Sequence, residues 1–135
     1  MKALTVRQPW AELIVRGRKD VENRPWRTNH RNLLAIHAGL GFDPHEPKVR
    51  GELESGAIIG VVDVLDCVRG SESPWGLPGQ WHWILGNARR LSKPIPYRGA
   101  LGLWNVDPET ERLLRSRLRG SHTQRRPIHP VVRTL

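Results

Sequence analysis

The 135-residue chain has little cysteine and no long apolar run. Its single cysteine, Cys67, cannot form a disulfide within the chain or supply a cysteine cage for zinc. Every apolar run is shorter than the about 18 residues that a membrane-spanning helix requires, and residues 1–5 lack the apolar core of a signal peptide. We therefore expect a soluble, cytoplasmic protein without membrane contact. We also predict no metal and no cofactor, because the histidines show no ligand spacing and no paired carboxylates accompany them.

The whole chain carries a net charge of +9, and residues 112–135 contain no acidic residue. This segment holds seven arginines and contributes +7, whereas residues 1–111 hold 15 basic and 13 acidic side chains and contribute +2. A cationic segment attracts polyanions, and neutralising phosphates releases counterions. We keep two interpretations of the basic C-terminus open, contact with a nucleic-acid backbone and plain solvation. The first makes Arg115 and Arg119 contact residues.

Short strands outnumber helices in the predicted order of elements. Apolar and β-branched runs predict strands over residues 2–8, 19–24, 33–38, 57–67, 80–85 and 101–106. Cap residues predict helices over residues 9–16, about 45–53 and 108–119, the last beginning after Asp107 and ending at Gly120. Residues 87–97 are expected to form a turn and a proline-broken edge segment. Gly60, in the middle of an apolar strand, suits a bulge or a close backbone approach.

This pattern predicts a mainly β (α+β) fold: a small, mostly antiparallel β-barrel with two or three short flanking helices. The barrel domain is expected over residues 1–107. The helix over residues 108–120 packs on or beside it, and residues 121–135 form a basic flexible tail.

The most informative stretch covers residues 7–26, with two prolines, two tryptophans and interspersed acidic and basic side chains. Pro9 fits the first turn of a short helix whose apolar face carries Trp10, and Gly17 ends it. In the extended segment that follows, over residues 19–24, successive side chains point to opposite sides. Charged groups are thereby crowded beside an aromatic-rich turn, as is typical of a binding cleft.

An ordered set of short motifs resembles the ASCH domain family, which is related to the PUA RNA-binding fold. The motifs are Gln8-Pro9-Trp10, Gly17, Lys19, Glu22, Arg24, Trp26, His37, Gly60-Val61-Val62-Asp63, Ser73-Pro74-Trp75, Trp83-Ile84-Leu85 and Gly99-Ala100-Leu101-Gly102-Leu103-Trp104. They follow the family's order over residues 2–107. The resemblance implies a PUA-like barrel whose ligand is related to nucleic acid, and members of the family bind or process different ligands of this kind.

Lys19, Glu22 and Arg24 are the first candidates for a functional site. They form either a network of ion pairs at the barrel mouth, or a site for an anionic or carbonyl-bearing ligand where Glu22 accepts or shuttles a proton. Asp63 lies in an otherwise apolar strand, so we expect Lys19, Arg24 or cleft solvent to be its partner. Lys19, Glu22 and Asp63 are accordingly the candidate catalytic residues.

Tryptophans and two hydrogen-bonding side chains complete the predicted ligand site. Trp26 and Trp75 lie in turns, where an exposed indole can stack on a base. For Trp10 and Trp26 the alternative is a plain core, the more common role of a large aromatic side chain. Gln8 carries a donor and an acceptor that suit a base edge, or it caps the helix. His37 is either a satisfied core histidine or a ligand-site residue. The predicted ligand contacts are therefore Gln8, Trp10, Lys19, Arg24, Trp26, His37, Trp75, Arg115 and Arg119.

Two functions follow from these candidates. The first is a binding module, in which the barrel opening takes a nucleotide, an unstacked base of RNA or DNA, or a modified nucleoside, and the basic C-terminus holds the backbone. The second is a metal-independent hydrolase. As a ribonuclease, it would use Lys19 and His37 as an acid–base pair and Arg24 to stabilise the pentacoordinate phosphorus. A role of the terminal helix in protein contacts is a third hypothesis.

The other form of the hydrolase hypothesis is an amidohydrolase that acts on acylated cytidine. For this activity, the resemblance implies a lysine and a threonine on one strand and a glutamate on a later strand. The chain has Lys19, but the nearest threonine is Thr28, and the later carboxylate is Asp63. A hydroxyl nucleophile next to its activating base is therefore missing from the sequence pattern.

Overall fold

The structure, a computed structural model, describes residues 1–42 and 53–125. The elements in these residues are β1 (Lys2–Gln8), α1 (Trp10–Val15), β2 (Val21–Arg24), β3 (Asn32–Phe42), β4 (Ala57–Val68), β5 (Trp81–Pro96), β6 (Leu103–Asn105) and α2 (Pro108–Arg125). The mainly β fold expected from the sequence is confirmed. The helix predicted over about 45–53 lies outside the described residues except for Leu53. Residues 126–135 of the predicted tail also lie outside them.

The described strands form one mixed sheet in the order β2-β5-β4-β3-β1-β6. β1 and β3 run parallel, and the other neighbouring strands run antiparallel. β6 covers β1 only at Lys2 to Leu4. Beyond this point β1 approaches β2, since Arg24 Nη2 donates to the Thr5 carbonyl at 2.9 Å. The sheet therefore curls like a barrel without closing. We call the gap between residues 5–7 of β1 and residues 22–24 of β2 the seam.

Apolar side chains cover both faces of the sheet because strand residues alternate between them. Leu4 and Trp83 belong to a core shared with α1, which contributes Ile14. On the other face, Ala3 belongs to a core shared with α2, which contributes Leu114. The two helices consequently lie on opposite faces, and burial of these side chains is the main force that holds them there.

Gly60 of β4 is the point where α1 meets the sheet. A Cβ at this position would lie 2.8 Å from Val15 Cγ1 and 2.5 Å from the Arg89 carbonyl oxygen. The close approach predicted for Gly60 is confirmed. It seats α1, whose first residue is Trp10, directly on the sheet.

Three elements run several residues further than predicted. β3 continues from residue 38 to Phe42. β5 continues as a strand through residues 87–96, because β2 covers it only at Trp81 to Ile84 and an edge strand tolerates proline. α2 begins as predicted, with Asp107 Oδ1 accepting from the Thr110 N–H at 2.8 Å. It then passes through Gly120 to Arg125, since one glycine weakens a helix by only about 1 kcal/mol.

Candidate nucleic-acid interface

A cleft of about 640 Å³ opens at the seam, on the face of the sheet that carries α1. β1 and β2 form two of its walls, and the segment between β4 and β5 forms a third. The lining residues are Thr5, Val6, Arg7, Trp10, Lys19, Glu22, Asn23, Arg24, Pro74, Trp75 and Leu77. The structure thus brings five predicted site residues together, namely Trp10, Lys19, Glu22, Arg24 and Trp75.

Lys19, Glu22 and Arg24 form a continuous ionic network along one wall of the cleft. Lys19 Nζ lies 3.6 Å from Glu22 Oε1, and Arg24 Nε donates to Glu22 Oε2 at 2.8 Å. Lys19 precedes the first residue of β2, Val21, and strand alternation therefore does not turn it away from Glu22. Its ammonium also donates to the Val21 carbonyl. The carboxylate is held between two cations, each attached to the same short segment.

Burial governs the electrostatics of this wall. It lowers the pKa of the Lys19 ammonium, and the attraction of Glu22 offsets only part of that effect. The neighbouring Arg24 guanidinium acts in the same direction as burial. Three cationic side chains, Arg7, Lys19 and Arg24, face one carboxylate, Glu22, in the cleft. An anionic group is the ligand that this imbalance favours.

Two indoles form the aromatic side of the cleft. The rings of Trp10 and Trp75 meet edge to face, with centroids 6.1 Å apart and an interplanar angle of 68°. Lys19 Nζ lies 5.9 Å from the centroid of the Trp75 ring, within range of a cation–π interaction. Cationic and aromatic groups consequently share one surface, a combination that suits a base bearing a phosphate.

Asn23 fixes the segment that carries Trp75. Its Nδ2 donates to the Trp75 carbonyl at 3.0 Å, and its Oδ1 accepts from the Leu77 N–H at 2.9 Å. Asp20 adds a second tie, since its Oδ1 accepts from Ser73 Oγ at 2.6 Å. Asn23 was not among the predicted site residues. Its only signal was an amide side chain between two charged residues of a short strand.

His82 of β5 also binds the segment that carries Trp75. Its Nδ1 accepts from the Ser71 N–H at 3.1 Å, which leaves Nε2 to donate to the Leu77 carbonyl at 2.8 Å. Gly76 packs so closely on this ring that a Cβ there would lie 2.6 Å from His82 Cε1. The wall formed by this segment is therefore held by side chains from β2 and β5.

Gln8, a predicted ligand contact, lies outside the cleft lining and is fully buried. Its Oε1 accepts from the Glu12 N–H at 2.9 Å, and its Nε2 donates to the Glu54 carbonyl at 2.9 Å. The first contact satisfies a backbone donor at the start of α1. The geometry is that of the helix-capping alternative.

His37 lies in the core behind Thr5, not in the cleft with Lys19. Only 2% of the residue is exposed. Its Nε2 lies 2.7 Å from the Tyr97 carbonyl and its Nδ1 lies 3.2 Å from Thr5 Oγ1, so both ring nitrogens have partners. Burial lowers the pKa of the imidazole, which favours the neutral form. The structure does not assemble the predicted acid–base pair of Lys19 and His37.

Asp63 and Trp26 also lie outside the cleft lining. Asp63 Oδ2 accepts from Asn87 Nδ2 at 2.8 Å, so the expected partnership with Lys19 or Arg24 is wrong. The reason is topological, because β5 separates β4 from β2. Trp26 packs edge to face on the buried Trp83, with centroids 4.9 Å apart, and 36% of it is exposed.

Arg115 and Arg119 are exposed on α2, on the face of the sheet opposite to the cleft. Arg115 Nε donates to Glu111 Oε2 at 3.0 Å, one helical turn away. These arginines and the cleft therefore form two separate surfaces.

Within residues 1–42 and 53–125, no three His, Cys, Asp or Glu side chains are grouped as metal ligands would be. Neither of the two helices in this part of the chain is long and apolar enough to cross a membrane.

The described residues thus form a mainly β domain with a curled mixed sheet and a cleft at its seam. The ASCH domain model matches residues 4–95, and the chain belongs to the ASCH domain family. The resemblance seen in the sequence motifs is thereby confirmed.

Curated relatives include Activating signal cointegrator 1 from Mus musculus and from Homo sapiens. Each is 30% identical to this chain, over 77% of this chain and 22% of the relative. The chain thus spans about a fifth of the length of these relatives. Similar solved structures include ASCH from Zymomonas mobilis and a mutant of it, both with a TM-score of 0.60 and 17% identity. The matches cover 85% of this chain and 93% and 96% of those chains, and they show a shared fold.

Proposed function

We propose that the cleft binds a nucleotide unit of a single-stranded nucleic acid. The observation that carries this proposal is the meeting of the Lys19–Glu22–Arg24 network with the indoles of Trp10 and Trp75 in one cavity. Aromatic faces stack on any base, and arginine and lysine bind phosphate. A volume of about 640 Å³ lies within the usual range of pockets for small ligands.

The cationic excess of the cleft supports a phosphate-bearing ligand over a neutral nucleoside. Glu22 neutralises one of its two neighbouring cations, while Arg7 adds a further positive charge at the rim. Glu22 accepts from Arg24 Nε, so the carboxylate orients that guanidinium. Arg24 also donates to the Thr5 carbonyl, and its position across the seam is accordingly fixed before a ligand arrives.

The arginines of α2 contribute attraction at long range in this proposal. Arg112, Arg115 and Arg119 are exposed along one side of the helix. They lie on the opposite face from the cleft, so they act on the rest of a polyanion and not on the nucleotide in the cleft. Such attraction weakens strongly as the salt concentration rises.

Replacing Trp75 tests the proposal most directly. We expect Trp75→Ala to weaken binding of fluorescent single-stranded RNA or DNA by about 1–3 kcal/mol, the usual loss of one aromatic stack. Trp26→Ala is the matched control, because Trp26 is an exposed indole outside the cleft. Equal losses in the two variants, or a loss confined to Trp26→Ala, would refute a ligand in the cleft.

A hydrolase is the second candidate function, and the observation in its favour is the lowered pKa of Lys19 beside Glu22. A lysine with a depressed pKa can act as a general base. The hydroxyls of Thr5 and Thr28 are engaged elsewhere, with His37 and with the His30 N–H. Incubation of acetylated cytidine and of labelled RNA with the wild type and with Lys19→Ala separates the two functions. Product formed by the wild type alone favours the enzyme.

A further inference from the structure

Trp81 of β5 lies between Arg24 of β2 and Arg69, the residue that follows β4. Arg24 of β2 is its direct partner in the antiparallel register. On the other side, Val68 of β4 pairs with His82, and the next residue of the chain, Arg69, falls opposite Trp81. The Arg69 guanidinium carbon lies 4.8 Å from the centroid of the Trp81 ring. We call Arg24, Trp81 and Arg69 the arginine–tryptophan row.

The row leads from the cleft to the protein surface. Directly opposed residues of antiparallel strands project to the same face of a sheet. Neighbouring strands are about 4.8 Å apart, so the row crosses roughly 10 Å from Arg24 to Arg69. Arg24 lines the cleft, Trp81 is half-buried against the core, and Arg69 is exposed. The cationic and aromatic surface of the cleft therefore continues beyond its rim.

The guanidinium over the Trp81 ring determines what this extension can bind. Arg69 lies over the Trp81 ring and is exposed, so its guanidinium is accessible to a ligand. Unpaired bases stack on arginine planes as they do on aromatic rings. The same guanidinium carries the donors that a neighbouring phosphate requires. A lysine would supply the charge but not the plane.

We infer that the arginine–tryptophan row binds the nucleotide next to the one in the cleft, with its base stacked on Arg69. The inference rests on the proposed function and makes it more specific. The partner is then a single strand of at least two nucleotides, and a free mononucleotide fills only half of the site.

Two probes test the inference, a nucleoside monophosphate and an eight-nucleotide single strand of the same base, as RNA and as DNA. We expect Arg69→Ala to weaken binding of the eight-nucleotide strand about 5- to 150-fold, which corresponds to the loss of one stacked base. The affinity for the monophosphate should not change. Arg69→Lys should recover only a small part of that loss. Arg27→Ala is the control for charge, because Arg27 is exposed and bonds to Asn29 beyond the end of β2.

The possible outcomes separate the row from the cleft. If Arg69→Ala weakens strand binding no more than Arg27→Ala does, or if Arg69→Lys restores it fully, the row supplies only charge and the inference is wrong. It is also wrong if the wild type binds the strand no more tightly than the monophosphate. Failure of the proposed cleft has a different signature, in which Trp75→Ala leaves the affinities for both probes unchanged. Equal thermal unfolding of the variants confirms that each is folded.

Discussion

Two glutamates of this domain are held between two cations each, yet they lie in different settings. Glu12 of α1 accepts from Arg16 and Arg90 through the same oxygen, Oε2. Glu22 of β2 uses both oxygens, Oε1 near Lys19 and Oε2 for Arg24. Both residues are 7% exposed. What differs is the neighbourhood, since only the second cluster borders the cleft. A buried ionic cluster becomes a candidate site when a cavity lies next to it.

The Glu12 cluster joins elements that the sheet alone would not join. Arg90 belongs to β5 and Arg16 follows α1, so Glu12 ties the end of the short helix to the sheet. The other carboxylate oxygen, Oε1, is buried without a hydrogen-bond partner among the described residues. We interpret the Glu12 cluster as structural and the Glu22 cluster as ligand-binding.

The largest expected effect comes from breaking the Glu12 cluster. Glu12→Gln leaves the largely buried Arg90 guanidinium without its carboxylate, whereas the exposed Arg16 adds little, and we expect a loss of about 3 kcal/mol in the free energy of unfolding. Urea unfolding measures the loss, and Glu109→Gln, at an exposed position of α2, is the control. Nucleic-acid affinity measured under folding conditions should not change. A variant that loses affinity but keeps its stability would reverse the two assignments.

Lys19→Met should have the opposite profile. It removes a buried cation from the cleft while Arg24 still pairs with Glu22, so stability should change less than in Glu12→Gln. Loss of a charged hydrogen-bond donor to the ligand should weaken binding by about 1.5–3 kcal/mol. Fluorescence anisotropy with a single-stranded probe measures this loss. Unchanged affinity would assign Lys19 a purely structural role.

The smallest expected effects are in the pH dependence of stability. The Glu12 cluster should affect stability at acid pH and the Glu22 cluster at alkaline pH. Burial raises the pKa of Glu12, but the Arg90 and Arg16 guanidiniums lower it by a larger amount. The pKa of Glu12 in the folded protein is therefore below the usual 4.5. The unfolded chain then binds the proton first, and stability is lost as the pH falls below 4.5 through the folded pKa. The pKa of Lys19 is lowered from 10.5, so stability should instead rise as the pH increases towards 10.5.

Comparison with the matched variants isolates each contribution. The wild type and Glu12→Gln should differ in the slope of unfolding free energy against pH on the acid side, and the wild type and Lys19→Met on the alkaline side. Parallel curves for either pair would contradict the corresponding shift.

The sequence predicts those parts of the site that are local in the chain. Trp10, Lys19, Glu22 and Arg24 lie within fifteen residues, and one short helix, one glycine stop and one strand suffice to bring them together. β1 was predicted with its observed bounds for a similar reason, since the hydrophobic pattern of a strand can be read over a few residues.

Contacts between distant segments were not predictable in the same way. Asn23 binds the backbone of Trp75 and Leu77, more than 50 residues away, and an amide in a strand gives no indication of that. Lys19 and Arg24 were expected as partners of Asp63, beside cleft solvent, because the strand order was unknown, whereas β5 lies between β4 and β2. The prolines near the end of β5 suggested a break, although the absence of β2 beyond Ile84 lets that strand continue.

The bond from Arg24 to the Thr5 carbonyl has a consequence for how the width of the seam can change in this chain. Where a sheet closes through strand pairing, changing the width of its opening requires a new register and the rupture of many backbone bonds. At the seam, the Arg24 side chain spans β1 and β2. A single substitution at position 24 can therefore change the width of the opening without breaking the backbone hydrogen bonds between strands.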